Sequence, residues 1–231
     1  MRMGELLGSG RSADVFAIDD HWALRRYRDG GDATAEAAVM TYLFERGYPV
    51  PAVREAADGA AATDLVLRRL RGPTMLQALV QGTLTAERAG ALLADLLDQL
   101  HAIPGPDAAD PTVRTLHLDL HPDNVMLTPD GPVVIDWCNT GHGPPALDWA
   151  MSSLILAQVA VDAVAEALMA RAVLTSLLSR VTPETGLADA NLHCLAQAKE
   201  KRAADPAMHE HEPRLLDDAT ELILTLLPDN L

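Results

Sequence analysis

The sequence predicts an α+β fold, with a small antiparallel sheet in its N-terminal part and a mostly helical remainder. Three observations carry this. Between Glu5 and Leu70, short runs alternate apolar and polar residues and are separated by Gly, Asp and Pro, the pattern of half-buried strands. From Pro73 onward the apolar spacing turns helical, with Leu92, Leu93, Leu96, Leu97 and Leu100 on one stripe. One hairpin interrupts the helices: Val125–Ile135 holds two apolar runs around the turn Thr128-Pro129-Asp130-Gly131.

Composition bounds the function. A chain of 231 residues can bury a sizeable core, and with aromatics at 3% that core must be mostly Leu, Val and Ala. The net charge of −15 argues against nucleic acid, because phosphate contact needs a basic face. Acidity serves solubility first, and it would also suit a cationic substrate. Cys138 and Cys194 make no disulfide framework, so a reducing cytoplasm is the expected compartment. No apolar h-region follows Met1, so no signal peptide is expected. Leu154–Leu178 carries Asp162, Glu166 and Arg171, which makes it a buried or amphipathic helix and not a membrane span.

In order, Gly8, Ser9, Gly10 and Ala13 fall at the spacing of a Gly-x-Gly-x-x-Gly loop with Ala in third place, and Val15 follows. Such a loop lets backbone N–H groups approach phosphates, although a Gly-Ser-Gly turn between strands looks the same. Asp14–Ile18 alternates, Asp19-Asp20 turns, and Trp22–Tyr27 alternates again, whereas a dinucleotide loop would enter a helix here. Ala23 and Arg25 share one strand face, which points Arg25 inward and Arg26 to solvent. A guanidinium can grip two phosphate oxygens at once. Thr34–Arg46 reads as a helix with Glu36 in its first turn. A carboxylate there suits the helix dipole, and it also lies where a kinase Glu would hold the phosphate-binding cation. Ala52–Ala56 and Asp64–Leu70 read as strands around the turn Asp58-Gly59, and Arg68–Gly72 as a linker.

Beyond it, Pro73–Val80 is a short helix, and Thr85 caps a longer one ending at His101, read as a packed helix-end histidine. Gly105–Pro111 and Gly141–Pro145 read as loops. Met151–Arg180, Leu187–Arg202 and Arg214–Leu227 read as three helical segments. His209-Glu210-His211-Glu212 is read as a surface loop, since it lacks the partner ligands of a zinc site.

The chemistry concentrates in Thr115–Asn139. Asp119 and Asn124 stand just before the hairpin and Asp136 ends its second strand, so three oxygen-bearing side chains are expected at one end of a stiff ribbon. Magnesium takes one or two carboxylates with phosphates and water filling the rest, so Asn124 and Asp136 suit it as ligands. Asp119 is left to orient or deprotonate a hydroxyl. The order is that of kinases: a catalytic Asp, an Asn five residues on, and a metal-binding Asp after the next hairpin. The plainer alternative is a polar loop whose Asp and Asn residues only cap turns.

His117-Leu118-Asp119 with Asn124, and Ile135-Asp136-Trp137, resemble the catalytic core of the aminoglycoside phosphotransferase and choline kinase-like family. The resemblance runs over residues 5–155. It implies a two-lobed protein kinase-like fold, with a nucleotide-binding lobe at 1–70 and a helical catalytic and substrate-binding lobe at 71–231. It implies an ATP- and Mg2+-dependent kinase acting on a hydroxyl of an aminoglycoside-, choline- or sugar-like small molecule. Gly8, Ser9 and Gly10 would place the phosphates with Arg25, held by Glu36. The hinge backbone, at Arg69 and Leu70, would meet the adenine, and Asp148 would bond the catalytic-loop backbone. His121 would touch the γ-phosphate or pack under the loop. Leu118 stands where the commonest family form has Gly, Cys138 where the protein-kinase D-F-G closes with Gly, and Arg68 at a position often acidic, while Arg25 falls where the family has a phosphate-binding Lys or Arg. The alternative reading is a catalytically weak ATP-binding regulatory module.

Overall fold

A computed structural model describes residues 4–10, 12–28, 30–54, 61–105, 110, 112–187, 192–205 and 212–228. In chain order it begins with β1 (Leu6–Ser9), β2 (Ala13–Ala17), β3 (Trp22–Tyr27), α1 (Thr34–Phe44), β4 (Val53–Arg54) and β5 (Asp64–Arg68). Next come α2 (Met75–Val80), α3 (Ala86–Ala102), β6 (Arg114–Leu116), β7 (Val125–Thr128), β8 (Gly131–Val134) and β9 (Gly141–Gly143). The chain closes with α4 (Pro145–Val161), α5 (Ala167–Leu178), α6 (His193–Ala203) and α7 (Leu216–Leu226). These elements form two compact units, residues 1–73 with 126–138 and residues 74–125 with 139–231.

The first unit is built on an antiparallel sheet in the order β1-β2-β3-β5-β4. Its central strand is β3, where Arg25 faces Val15 on one side and Leu65 on the other. Ala23, Leu24 and Arg25 are all buried, so this strand is covered on both faces over its middle. The hairpin of β7 and β8 is fastened here by two backbone bonds, Leu127 N–H to Pro73 O at 2.9 Å and Val134 N–H to Pro49 O at 2.8 Å. Gly72 makes the first of these contacts possible. It sits at φ +137, and a Cβ there would lie 2.0 Å from the Leu127 carbonyl oxygen.

The second unit is helical, for reasons visible in its caps. Thr74 and Gln77 form a reciprocal capping box at α2, and the Thr85 hydroxyl accepts the Arg88 N–H at α3. The centre of the unit is α4. Every residue from Ala146 to Gln158 is buried, because the helix is wrapped by α5, α6 and α7. Burying a Leu or Ile side chain contributes roughly 1.5–3 kcal/mol, so Leu154, Ile155 and Leu156 anchor the unit.

Three expectations are corrected. Met151–Arg180 is not one helix: α4 ends at Val161 and α5 starts at Ala167. Asp162 turns extended, at ψ 156, and its carboxylate takes the Ala163 N–H at 2.8 Å, a local bond that competes with the helix. Gly141–Gly143 is a strand paired with Arg114–Leu116, and the helix expected over Leu187–Arg202 begins only at His193. The turn at Asp58-Gly59, most of the Gly105–Pro111 loop and His209–His211 lie outside the described residues. Among the described residues no helix is long and apolar enough to cross a membrane.

Candidate active site

Strand alternation carries Arg25 to the inner face of the first unit, where it is 7% exposed. Its guanidinium donates to Glu36 Oε1 at 2.8 Å and to Asp136 Oδ1 at 2.5 Å. Burial alone would lower its pKa, but the two carboxylates outweigh burial and raise it further. Glu36 lies in the first turn of α1, whose start is held by Asp32 accepting the Thr34 N–H at 2.8 Å. The Glu36 Oε1 atom also accepts the backbone N–H of Trp137 at 3.1 Å, and its Oε2 accepts the Tyr27 hydroxyl. Burial pushes the Glu36 carboxyl upward, against the pull of Arg25 and Tyr27.

Asp136 follows β8 with φ +64, a left-handed conformation that costs a non-glycine residue about 1–2 kcal/mol. Its neighbour supplies the restraint. Trp137 is 1% exposed, donates Nε1–H to Val134 O at 3.1 Å and meets Tyr48 edge-on at 5.7 Å. Arg26 faces away from this cluster. It is not simply solvated, for it makes a two-pronged pair with Asp64 at 2.7 and 2.6 Å.

Neither Gly8 nor Gly10 is demanded by the fold. A Cβ at Gly8 meets no described atom within 4 Å, and one at Gly10 comes no closer than 3.7 Å to Ala13 O. The Gly10 N–H is committed to Ala13 O at 2.9 Å. Arg28 pins this loop, donating to Ser9 Oγ at 2.7 Å, Gly10 O at 2.5 Å and Asp14. At the hinge the Arg69 N–H is used by His21 O at 2.8 Å, and its side chain by Asp19 O at 3.1 Å. Leu70, like Arg71 and Gly72 after it, has no backbone hydrogen bond to a described residue, so its backbone groups are open.

In the second unit, Asn124 donates its amide to the Asp119 carbonyl oxygen at 2.8 Å and lies 3.3 Å from the Asp119 carboxylate. His121 Nε2 stands 3.2 Å from the same amide nitrogen and 3.8 Å from Asp119 Oδ1. These contacts commit the Asn124 nitrogen and leave its Oδ1 without a partner among the described residues. A side-chain carbonyl oxygen left open beside a carboxylate suits a hard cation. Among the described residues no group of three His, Cys, Asp or Glu side chains is arranged for a metal, a requirement magnesium does not impose.

The backbone before Asp119 is held from α4. Asp148, fully buried, accepts His117 N–H at 2.9 Å and Leu118 N–H at 2.7 Å, as expected of it. His101 Nε2 lies 3.1 Å from the same carboxylate, which gives this helix-end histidine a polar partner as well as packing.

The structure thus gathers Arg25, Glu36 and Asp136 in the first unit, and Asp119, Asn124 and His121 in the second. Sequence reasoning missed Tyr27, Arg28 and the Trp137 amide. Tyr27 could have been found, since it shares a strand face with Arg25 two residues away. Nothing in the sequence signals a backbone amide as a partner for Glu36.

A profile of the APH phosphotransferase enzyme family matches residues 4–115 and 107–183. The solved gentamicin complex of APH(2")-IIa is 16% identical and covers 96% of this chain and 91% of its own, at TM-score 0.54. Amicoumacin kinase hAmiN, solved with AMP-PNP, Ca2+ and Ami, is 14% identical, covers 97% and 89%, and scores 0.55. A choline/ethanolamine kinase family protein from Mesorhizobium loti is 15% identical, covers 96% and 87%, and scores 0.52. No curated protein sequence matches significantly. The fold is protein kinase-like and the class is phosphotransferase. The chain belongs to the APH phosphotransferase enzyme family.

Proposed function

We propose that this chain transfers the γ-phosphoryl group of ATP to a hydroxyl of a small molecule. The observation that carries the reading is the buried Arg25–Glu36 pair at 2.8 Å, with Asp136 on the same guanidinium. It sets a phosphate-gripping cation beside a carboxylate able to hold a metal. In the transfer, the acceptor oxygen bonds to the γ-phosphorus, the bond to the β-phosphate oxygen breaks, and ADP leaves. Asp119 orients the acceptor hydroxyl and takes its proton. Asn124 and Asp136 would hold Mg2+, which when bound neutralises charge on the phosphates. Gly8 and Gly10, on either side of Ser9, leave an approach to those phosphates free of their own Cβ atoms, and Leu70 offers backbone groups to the base. Most of the rate comes from positioning and charge neutralisation.

The similar structures include a gentamicin complex, a kinase in complex with Ami and a choline/ethanolamine kinase family protein. Together with a net charge of −15, they favour an acceptor bearing amino groups. Cys138 and Cys194 form no disulfide, which suits the cytoplasm, where ATP is at hand. A second reading, a regulatory ATP-binding module, is favoured by the Gly10 and Arg69 N–H groups, which are both already engaged.

Nucleotide turnover across amino alcohols, sugars and aminoglycosides separates the two, with ATP and GTP run side by side. Acceptor-dependent ADP release is expected, falling about 10²-fold or more in Asp119→Asn while ATP binding persists. ATP binding without turnover on any acceptor would transfer the assignment to the regulatory module.

A further inference from the structure

We propose that Tyr27 is a positioning residue of the phosphate clamp: its hydroxyl fixes Glu36 so that one carboxylate can hold both Arg25 and the Trp137 amide. The inference rests on the reading of Arg25 as the phosphate ligand.

Glu36 has two jobs for a single oxygen. Its Oε1 receives Arg25 at 2.8 Å and the Trp137 N–H at 3.1 Å. The first contact sets the clamp and the second restrains the chain beside Asp136, which sits at φ +64. The terminal torsion of a glutamate is soft and roughly two-fold, so a carboxylate held through one oxygen can turn. The Tyr27 hydroxyl, bonded to Oε2, removes that freedom.

Three further features suit Tyr27 to this task. Strand alternation puts it on the same face as Arg25, whose guanidinium lies 5.1 Å from the ring centroid. Burial pushes the hydroxyl far above its ordinary pKa, so it stays a donor at every physiological pH. The ring also has a made seat, for a Cβ at Gly31 would stand 3.2 Å from its carbons.

The test is equilibrium binding of ATP and of adenosine in EDTA, which needs neither metal nor turnover, with a thermal melt of each variant. Tyr27→Phe keeps the ring and loses one bond to a charged group, so ATP should weaken about tenfold and adenosine should not change. Gly31→Ala, which displaces the ring by tenths of an ångström, should weaken ATP less and in the same sense. In a Glu36→Gln background, Tyr27→Phe should add little, since one network is not additive. If Tyr27→Phe melts below the assay temperature, Gly31→Ala gives the answer. Parent-like ATP affinity in Tyr27→Phe, with Arg25→Ala impaired, would overturn the role of Tyr27 alone. Parent-like affinity in Arg25→Ala would instead remove the clamp, and this inference with it.

Discussion

The Leu118 N–H donates to Asp148 Oδ1 at 2.7 Å, and Leu118 itself stands at φ +61. A left-handed leucine immediately before Asp119 is thereby tied to a fully buried carboxylate from α4. Glycine would adopt that conformation freely, whereas leucine holds it at a cost.

Asp148→Asn should therefore unsettle both fold and catalysis. Burial would raise the Asp148 pKa, but the hydrogen bond from His101 and the charges nearby hold it below the usual carboxylate value. A depressed pKa stabilises above the unfolded pKa and ceases to do so as pH falls through the folded one. The variant should lose about 2–3 kcal/mol at pH 7. Urea melts should show the gap to the parent narrowing below about pH 4.

Leu118→Gly should be mild. It relieves about 1–2 kcal/mol of left-handed strain and gives up backbone entropy and side-chain packing. That packing is close, for a Cβ on Gly141 would lie 2.9 Å from Leu118 Cδ1. Stability within about 1 kcal/mol of the parent and retained turnover are expected, whereas Leu118→Val should destabilise by more. Thermal melts of the two variants decide it.

Arg25→Ala should weaken ATP far more than adenosine, because only the phosphates lose a partner. Arg26→Ala is the control. Its pair with Asp64 lies on a side chain 41% exposed, and such pairs contribute about 0–1 kcal/mol, so ATP affinity should hold. Isothermal titration with both ligands checks the pair. A damaging Arg26→Ala with a silent Arg25→Ala would place the clamp on the wrong arginine.

Asp136→Ala should abolish the magnesium dependence of ATP binding, since one carboxylate is asked for most of the protein's ligation. Arg25 would lose one of its two carboxylate partners in the same variant. ATP titrations with Mg2+ and with EDTA should then coincide, and a retained difference would relocate the metal.

Much of this was legible in the sequence. Alternation located β2, β3 and β5 and turned Arg25 inward, because one slip of register would have buried Arg26 instead. The stripe on α3 and its Thr85 cap were readable for the same local reason. The break at Asp162 was not, since the apolar spacing runs on and the bond its carboxylate accepts from the Ala163 N–H is a local detail of the folded chain. The strand at Gly141–Gly143 has no strand propensity and exists through its pairing with Arg114–Leu116, a tertiary fact. In the candidate site, spacing pointed to Arg25 and Glu36, which the structure pairs; Tyr27, two residues from Arg25 on the same strand face, was overlooked, and the Trp137 amide, whose partner Glu36 is far away in the chain, left no signal.

The hairpin seated against Gly72 and Pro73 sets an order of synthesis. The first unit is complete only when residue 138 has been made, long after its sheet has left the ribosome. Until then Arg25 has Glu36 but lacks Asp136, and Pro49 and Pro73 lack the partners of their carbonyl groups. A nascent chain halted at Pro73 would carry two carbonyl groups without their hairpin partners and a half-compensated buried arginine, features that invite chaperone binding. A fragment ending there should misfold unless residues 126–138 are supplied separately as a peptide.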